Sequence, residues 1–270
     1  MKKNKTITKT FIIILLAIII FALSMISMKQ KENTIQTSAE NISNKKISWG
    51  IKRNNNHEQP DVGKDYQQIL EENGGICLGD KDTKNIYLTF DEGYEAGYTE
   101  QILDILKEND VKATFFLTAH YVNTQEELVK RMIDEGHIIG NHTVNHKSMP
   151  SLSEEEIRKE VLDLHQVMNE KFGYEMKYIR PPKGEFSERT LKITNSLGYK
   201  TVMWSFAYED WNEDKQPDEE KSKQKILDNL HNGEIMLLHG NSKTNTNILD
   251  SVIKETKNIG YTFKSLDEFV

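Results

Sequence analysis

The run I-Y-L-T-F-D-E-G-Y occupies residues 86–94, and the reading of the whole chain turns on it. Ile86, Tyr87, Leu88, Thr89 and Phe90 are β-branched, aromatic or large and apolar, the composition of a buried strand. The run ends in two adjacent carboxylates, Asp91 and Glu92, then Gly93, which is expected to let the backbone turn sharply. Acids at the end of a buried strand are unfavourable unless something pairs with them. In α/β folds that edge of the sheet is where sites form. By itself D-E-G also suits two solvated acids opening a loop, so the remainder of the chain has to decide.

Downstream the pattern alternates. Apolar residues at helical spacing over 98–109 precede a strand over 111–118. A helix over 124–135 has Thr124 and Glu127 in capping-box positions. After a short strand at 138–141 comes a longer helix over 153–172, with a second box at Ser153 and Glu156. Strands follow at 177–180, 201–205, 234–239 and 261–264, separated by helices over 187–196, 220–230 and 247–258. Seven strands alternating with six helices imply a parallel α/β sheet, open or closed into a barrel.

Composition sets the bounds. The 270 residues suffice for one domain and a tail, with 37% hydrophobic and 29% charged residues. A formal net charge of −7 argues against nucleic acid as a partner. The single cysteine, Cys77, excludes an internal disulfide and reads as a small buried apolar group. Lys2, Lys3, Lys5 and Lys9 precede an almost unbroken apolar run over 11–28. That run spans roughly 27 Å as a helix, enough for the hydrocarbon core. No small-x-small cleavage site follows it, so residues 1–28 are expected to be an uncleaved cell-membrane anchor with a cytoplasmic flank, leaving the body outside the cell. Residues 29–64 are rich in Asn, Lys, Gln and Ser and read as a polar linker, with some order near Trp49 and Gly50. The catalytic domain is expected over 65–270, as a monomer.

In a parallel sheet the polar residues that follow each strand share one rim. Here they are Asp91 and Glu92, His142 and His146, Arg180, Asp210 with Trp211, and His239. On a helical turn, His142 and His146 at i and i+4 share a face and offer two nitrogens to one ion. With one carboxylate they make a three-ligand site of the hydrolytic zinc type. A second carboxylate is a candidate base. Arg180 is suited to hold it ionised, and His239 to protonate a leaving group. The set suits metal-assisted hydrolysis of an amide or ester.

Five segments, T-F-D-E-G (89–93), H-T-V-N-H (142–146), R-P-P-K-G (180–184), E-D-W (209–211) and L-L-H (237–239), resemble in order and spacing the motifs of the polysaccharide deacetylase family, the NodB-homology domain. The stretch from Trp49 through Gly79 and Asp80 into Y-E-A-G-Y-T is similar, more narrowly, to the delta-lactam-biosynthetic de-N-acetylases of spore-forming bacteria. That resemblance implies a distorted (β/α) barrel of about seven parallel strands. It also implies removal of the acetyl group from N-acetylmuramic acid in peptidoglycan, toward the muramic lactam of spore cortex. Carried over, it makes Asp91 the base, oriented by Arg180, and His239 the acid, tuned by Asp210. Glu92, His142 and His146 become ligands of one divalent ion, most simply Zn2+. Tyr94, Pro181, Trp211 and Leu237 become substrate contacts. Glu92 departs from the pattern, since the family's second acid is usually Asp. Two other readings stay open: a deacetylase of N-acetylglucosamine, chitin or xylan, and an inactive envelope protein that only binds glycan.

Overall fold

The run at 86–90 extends on both sides into strand β2 (Asn85–Glu92), so both acids belong to the strand itself. The computed structural model of the protein describes residues 42–54 and 56–269. The expected anchor over 1–28 and the first part of the linker lie outside the described residues. Among those described, no helix is long and apolar enough to cross a membrane.

β2 is flanked in parallel by β3 (Thr114–Leu117) and β8 (Glu234–His239). The sheet continues through β4 (Ile138–Asn141) and β5 (Tyr178–Ile179) to β7 (Lys200–Thr201), giving the order β7-β5-β4-β3-β2-β8. β9 (Thr262–Phe263) pairs with the start of β2. The chain leaving β7 then reaches β8 and curls the sheet into the expected distorted barrel. The N–H groups of Ser205 and Phe206 donate to the Ile235 carbonyl at 3.0 and 3.2 Å, and Leu237 N–H donates to the Phe206 carbonyl at 2.9 Å.

Strand periodicity sorts β2 between two layers. Ile86, Leu88 and Phe90 face the helices and join the large core that includes Ile102, Leu103 and Leu106 of α2 (Thr99–Glu108). Tyr87 faces inward and packs with Phe116, Ile138, Tyr178, Val202 and Ile235, which fill the barrel below the site. Gly140 on β4 makes room for that filling. A Cβ there would stand 2.4 Å from the Phe116 ring.

Several boundaries moved. The helix expected over 124–135 is two helices, α3 (Ala119–Thr124) and α4 (Glu126–Asp134). Thr124 does not cap the second; its hydroxyl donates back to the His120 carbonyl at 2.9 Å, closing the first. α5 (Glu154–Phe172) starts at the expected Ser153–Glu156 capping box. α6 (Glu188–Ser196) and α7 (Glu219–Asn229) lie close to expectation. α8 (Lys243–Asn258) begins four residues early because Ser242 caps it through Asn245 N–H, in a polar stretch that carries no apolar period.

The expected linker is the larger correction. Residues from Asn44 onward belong to the folded body. β1 (Ile47–Ser48) pairs antiparallel with β6 (Glu185–Phe186), Trp49 is buried with its indole N–H on the Trp204 carbonyl at 2.8 Å, and α1 (Lys64–Glu72) was not foreseen. So few apolar residues, without period, leave no signal until a partner surface exists. Cys77 is buried as expected, and burial, with Glu71 nearby, pushes its thiol up to about 12.

Candidate active site

Asp91 and His239 are register partners in the β2–β8 ladder. In a parallel pair such neighbours project from the same face, and here that face is the barrel mouth. One layer down, Thr89 pairs with Leu237. The mouth opens into a cavity of about 1210 Å3 whose wall includes Asp91, His142, His146, Trp211, Leu237 and His239.

Arg180 is completely buried and holds Asp91 from below. Its Nη1 donates to Asp91 Oδ1 at 2.8 Å and to Thr89 Oγ1 at 2.9 Å, and Nε donates to the Val202 carbonyl at 3.1 Å. The guanidinium lies 4.2 Å from the Phe116 ring centroid. Burial opposes the Asp91 charge, but Arg180, with His142 and His239, outweighs it and holds the carboxyl below its ordinary range. Opposite stands His239. Its Nδ1–H donates to Asp210 Oδ1 at 2.7 Å, and its backbone N–H to Asp210 Oδ2 at 2.9 Å. Asn245 Nδ2 donates to the same Oδ2 at 2.6 Å, so the Asp210 carboxylate is fixed on three sides. Burial works against the imidazolium, but Asp210 outweighs it and raises the His239 pKa above its ordinary value. The result is a carboxyl whose ionised form is favoured and an imidazole whose protonated form is favoured, side by side at one mouth.

The two histidines of 142–146 do not share a helix. They are brought together by a turn with Thr143 at φ 68 and His146 at φ 54, placing the rings 4.8 Å apart. His142 Nδ1–H donates to the Arg180 carbonyl at 2.8 Å, which turns Nε2 toward Asp91 Oδ2, 3.6 Å away. Burial lowers the pKa of both imidazoles, that of His146 to about 4 with help from His142. The turn is held by Glu160 of α5, which accepts from Asn145 N–H and from its side-chain amide, each at 2.7 Å. Nothing in the sequence marked Glu160, one acid among many on a charged helix.

Glu92 is the main correction. Alternation sends it to the helix-facing side of β2, away from His142 and His146. Its carboxyl lies against Gly240, where a Cβ would meet Oε1 at 1.6 Å. It is 1% exposed, and neither oxygen has a partner among the described residues. Burial, with Glu95 and Asp91 adding repulsion, raises its pKa well above the ordinary range, which favours the neutral acid there. A divalent ion held by Glu92, His142 and His146 does not fit these positions. Among the described residues no group of three such side chains is arranged to hold a metal. Glu92→Gln, nearly isosteric with a neutral carboxyl, is expected to keep activity within about three-fold and to leave chelator sensitivity unchanged. Loss of activity together with loss of bound metal in that variant would show that Glu92 does turn to the histidines.

Of the expected substrate contacts, Tyr94, Trp211 and Leu237 line the cavity. Pro181 does not: it is buried, and the next turn residues, Lys183 and Gly184, form that wall instead. Trp211 is 50% exposed and stands edge-on to His239 at 5.4 Å between centroids. Tyr94 hydrogen-bonds Glu213, and its hydroxyl accepts from Asn241 Nδ2 at 2.9 Å, which ties the loop after β2 to the loop that carries Trp211. Gly93 makes no left-handed turn, and its surroundings have room for a side chain. Trp204 also forms part of the wall; the sequence places it only within the expected strand over 201–205, because its position at the mouth depends on where β7 ends.

A parallel barrel with an acid and an imidazole paired across its mouth is the frame of a hydrolase, and this chain belongs to the polysaccharide deacetylase family. The family's sequence model matches residues 78–202. The chain is 43% identical over 233 residues to the peptidoglycan-N-acetylmuramic acid deacetylase PdaA of Bacillus subtilis, covering 86% of this chain and 89% of that protein. The solved structure of that protein, a family 4 carbohydrate esterase, superposes with a TM-score of 0.82, over 84% of this chain and 98% of the other, at 43% identity. A peptidoglycan-N-acetylglucosamine deacetylase of Bacillus cereus is 35% identical over 69% of this chain and 88% of its own length.

Proposed function

We propose that the protein removes the N-acetyl group from N-acetylmuramic acid residues of peptidoglycan glycan strands, releasing acetate. The observation that carries the hydrolytic part is the β2–β8 register, which sets Asp91, held by Arg180, beside His239, held by Asp210. The muramic part is supported by the higher identity to the muramic acid deacetylase, 43% against 35%.

In this reading Asp91, oriented by Arg180, takes a proton from a water in the cavity. The oxygen adds to the amide carbon, and the amide π bond breaks to give a tetrahedral intermediate. His239 gives its Nε2 proton to the sugar nitrogen. The C–N bond then breaks, leaving acetate and a free amine. Asp210 keeps Nδ1 protonated and so fixes which nitrogen faces the substrate. Trp211 and Leu237 wall the space for the acetyl methyl. Formation of the muramic lactam of spore cortex is the consequence of that free amine in this proposal.

The test is mass spectrometry of glycan fragments after incubating walls or cortex with the protein. Loss of one acetyl mass from muramic acid residues, with little loss from chitin oligomers, is expected. A clear preference for chitin oligomers overturns the muramic assignment.

The location is part of the proposal. The Lys flank and the apolar run at 11–28 support an anchored protein whose body faces the wall. Protease added to intact protoplasts should digest residues 44–269, and full protection with the membrane intact contradicts this topology.

A further inference from the structure

We propose that Lys183 is the specificity residue of this site, binding the carboxylate of the 3-O-lactyl group that distinguishes N-acetylmuramic acid from N-acetylglucosamine. This rests on the muramic reading above and adds the residue that enforces it.

Among the described residues that line the cavity, Lys183 is the only lysine or arginine. It is exposed and makes no ion pair among them. The nearby carboxylate that it influences, Glu185, is already paired with Lys46 at 2.8 Å. The ammonium therefore stands at the wall of a cavity lined mainly by aromatic and imidazole rings, with Asp91 and Glu209, and forms no ion pair among the described residues. It lines the same cavity as His146, whose ring lies 4.8 Å from that of His142, itself 3.6 Å from Asp91. Its charge is thus near the point where the acetamide must lie.

The backbone singles out the same residue. Lys183 sits at φ 61, ψ 9, a left-handed conformation that non-glycine residues seldom adopt. The turn is locked by its neighbours: a Cβ on Gly184 would meet the Trp204 ring at 2.6 Å and Trp49 Cβ at 3.2 Å. A lysine held in a strained turn at the cavity wall, unpaired, is a charge placed for a ligand. On the sugar the 2-acetamido and the 3-O-lactyl groups are on adjacent carbons. A substrate with its amide carbon between Asp91 and His239 therefore carries its carboxylate within reach of a wall side chain. N-acetylglucosamine offers a neutral hydroxyl at that position.

The experiment measures kcat/KM of wild type, Lys183→Met, Lys183→Gly and Lys183→Arg on three substrates: muramic acid glycan, the same glycan with its lactyl carboxylates methyl-esterified, and N-acetylglucosamine oligomers. Lys183→Gly suits the left-handed turn and guards against misfolding of Lys183→Met. On muramic glycan both neutral variants should lose on the order of ten-fold, chiefly through KM, and Lys183→Arg should retain most of the activity. Wild type should lose a similar factor on the ester, and the neutral variants should not distinguish ester from acid. Wild type favouring muramic glycan while the neutral variants keep the same preference overturns the assignment to Lys183 alone. Wild type favouring N-acetylglucosamine oligomers overturns the muramic reading and this proposal with it.

Discussion

Asp91→Asn is expected to lower kcat on acetylated glycan by about 10²–10⁴-fold, the range for removing a positioned base, with far-UV circular dichroism unchanged. The amide still accepts from Arg180 through Oδ1, so the buried guanidinium keeps a partner and the fold is spared. Only the ability to take a proton is removed. The pH profile of the wild type reports the same assignment. Asp91 must be ionised and its pKa is lowered, so activity holds down to below the ordinary carboxylate value of 3.8. His239 must be protonated and its pKa is raised, so activity persists above the ordinary imidazole value of 6.5 and falls as the pH climbs through the raised one. The rate therefore has its plateau between the two. Near wild-type turnover in Asp91→Asn, measured as acetate release from the correct substrate, refutes the assignment of the base.

Arg180→Met is expected to have the largest effect on stability. It strips the hydrogen-bonded guanidinium from a carboxylate that is itself 8% exposed, and removing one partner of a buried pair costs about 3–5 kcal/mol. The contribution has a definite pH sense. Asp91 has a lowered pKa in the folded state, so the stability it gains from Arg180 is present above 3.8 and is lost as the pH falls through the folded value. In the variant Asp91 recovers part of the loss by taking up a proton, which also removes the base. Urea unfolding at neutral pH measures the stability change, and the double variant with Asp91→Asn closes the cycle. If the double variant is as unstable as Arg180→Met alone, the unpaired charge was not the cause, and lost packing on Phe116 and Trp204 takes its place.

The fold was legible because burial writes itself into composition. The apolar runs of β2, β4 and β8 and the Ser153–Glu156 cap are local signals, and the alternation of strands and helices implied a parallel sheet, open or closed, which the family resemblance narrowed to a distorted barrel. The order of polar residues after the strands then brought Asp91, Arg180, Asp210 and His239 to one rim, as parallel topology requires. What the sequence could not carry was direction. Asp91 and Glu92 are adjacent letters of the same chemical type, yet a strand of period two sends one to the mouth and the other against Gly240. A one-residue shift in the register of β2 against β3 and β8 would exchange them. Likewise Pro181 and Lys183 belong to one motif, and only the left-handed turn decided which of them meets the cavity. Strand type, helix caps and the roster of reactive groups were set by the sequence alone, because each depends on neighbours in the chain. Which face each reactive group takes was decided by the tertiary structure, because it depends on register and on backbone angles fixed by contacts such as Trp49 with Trp204, 155 residues apart in the chain.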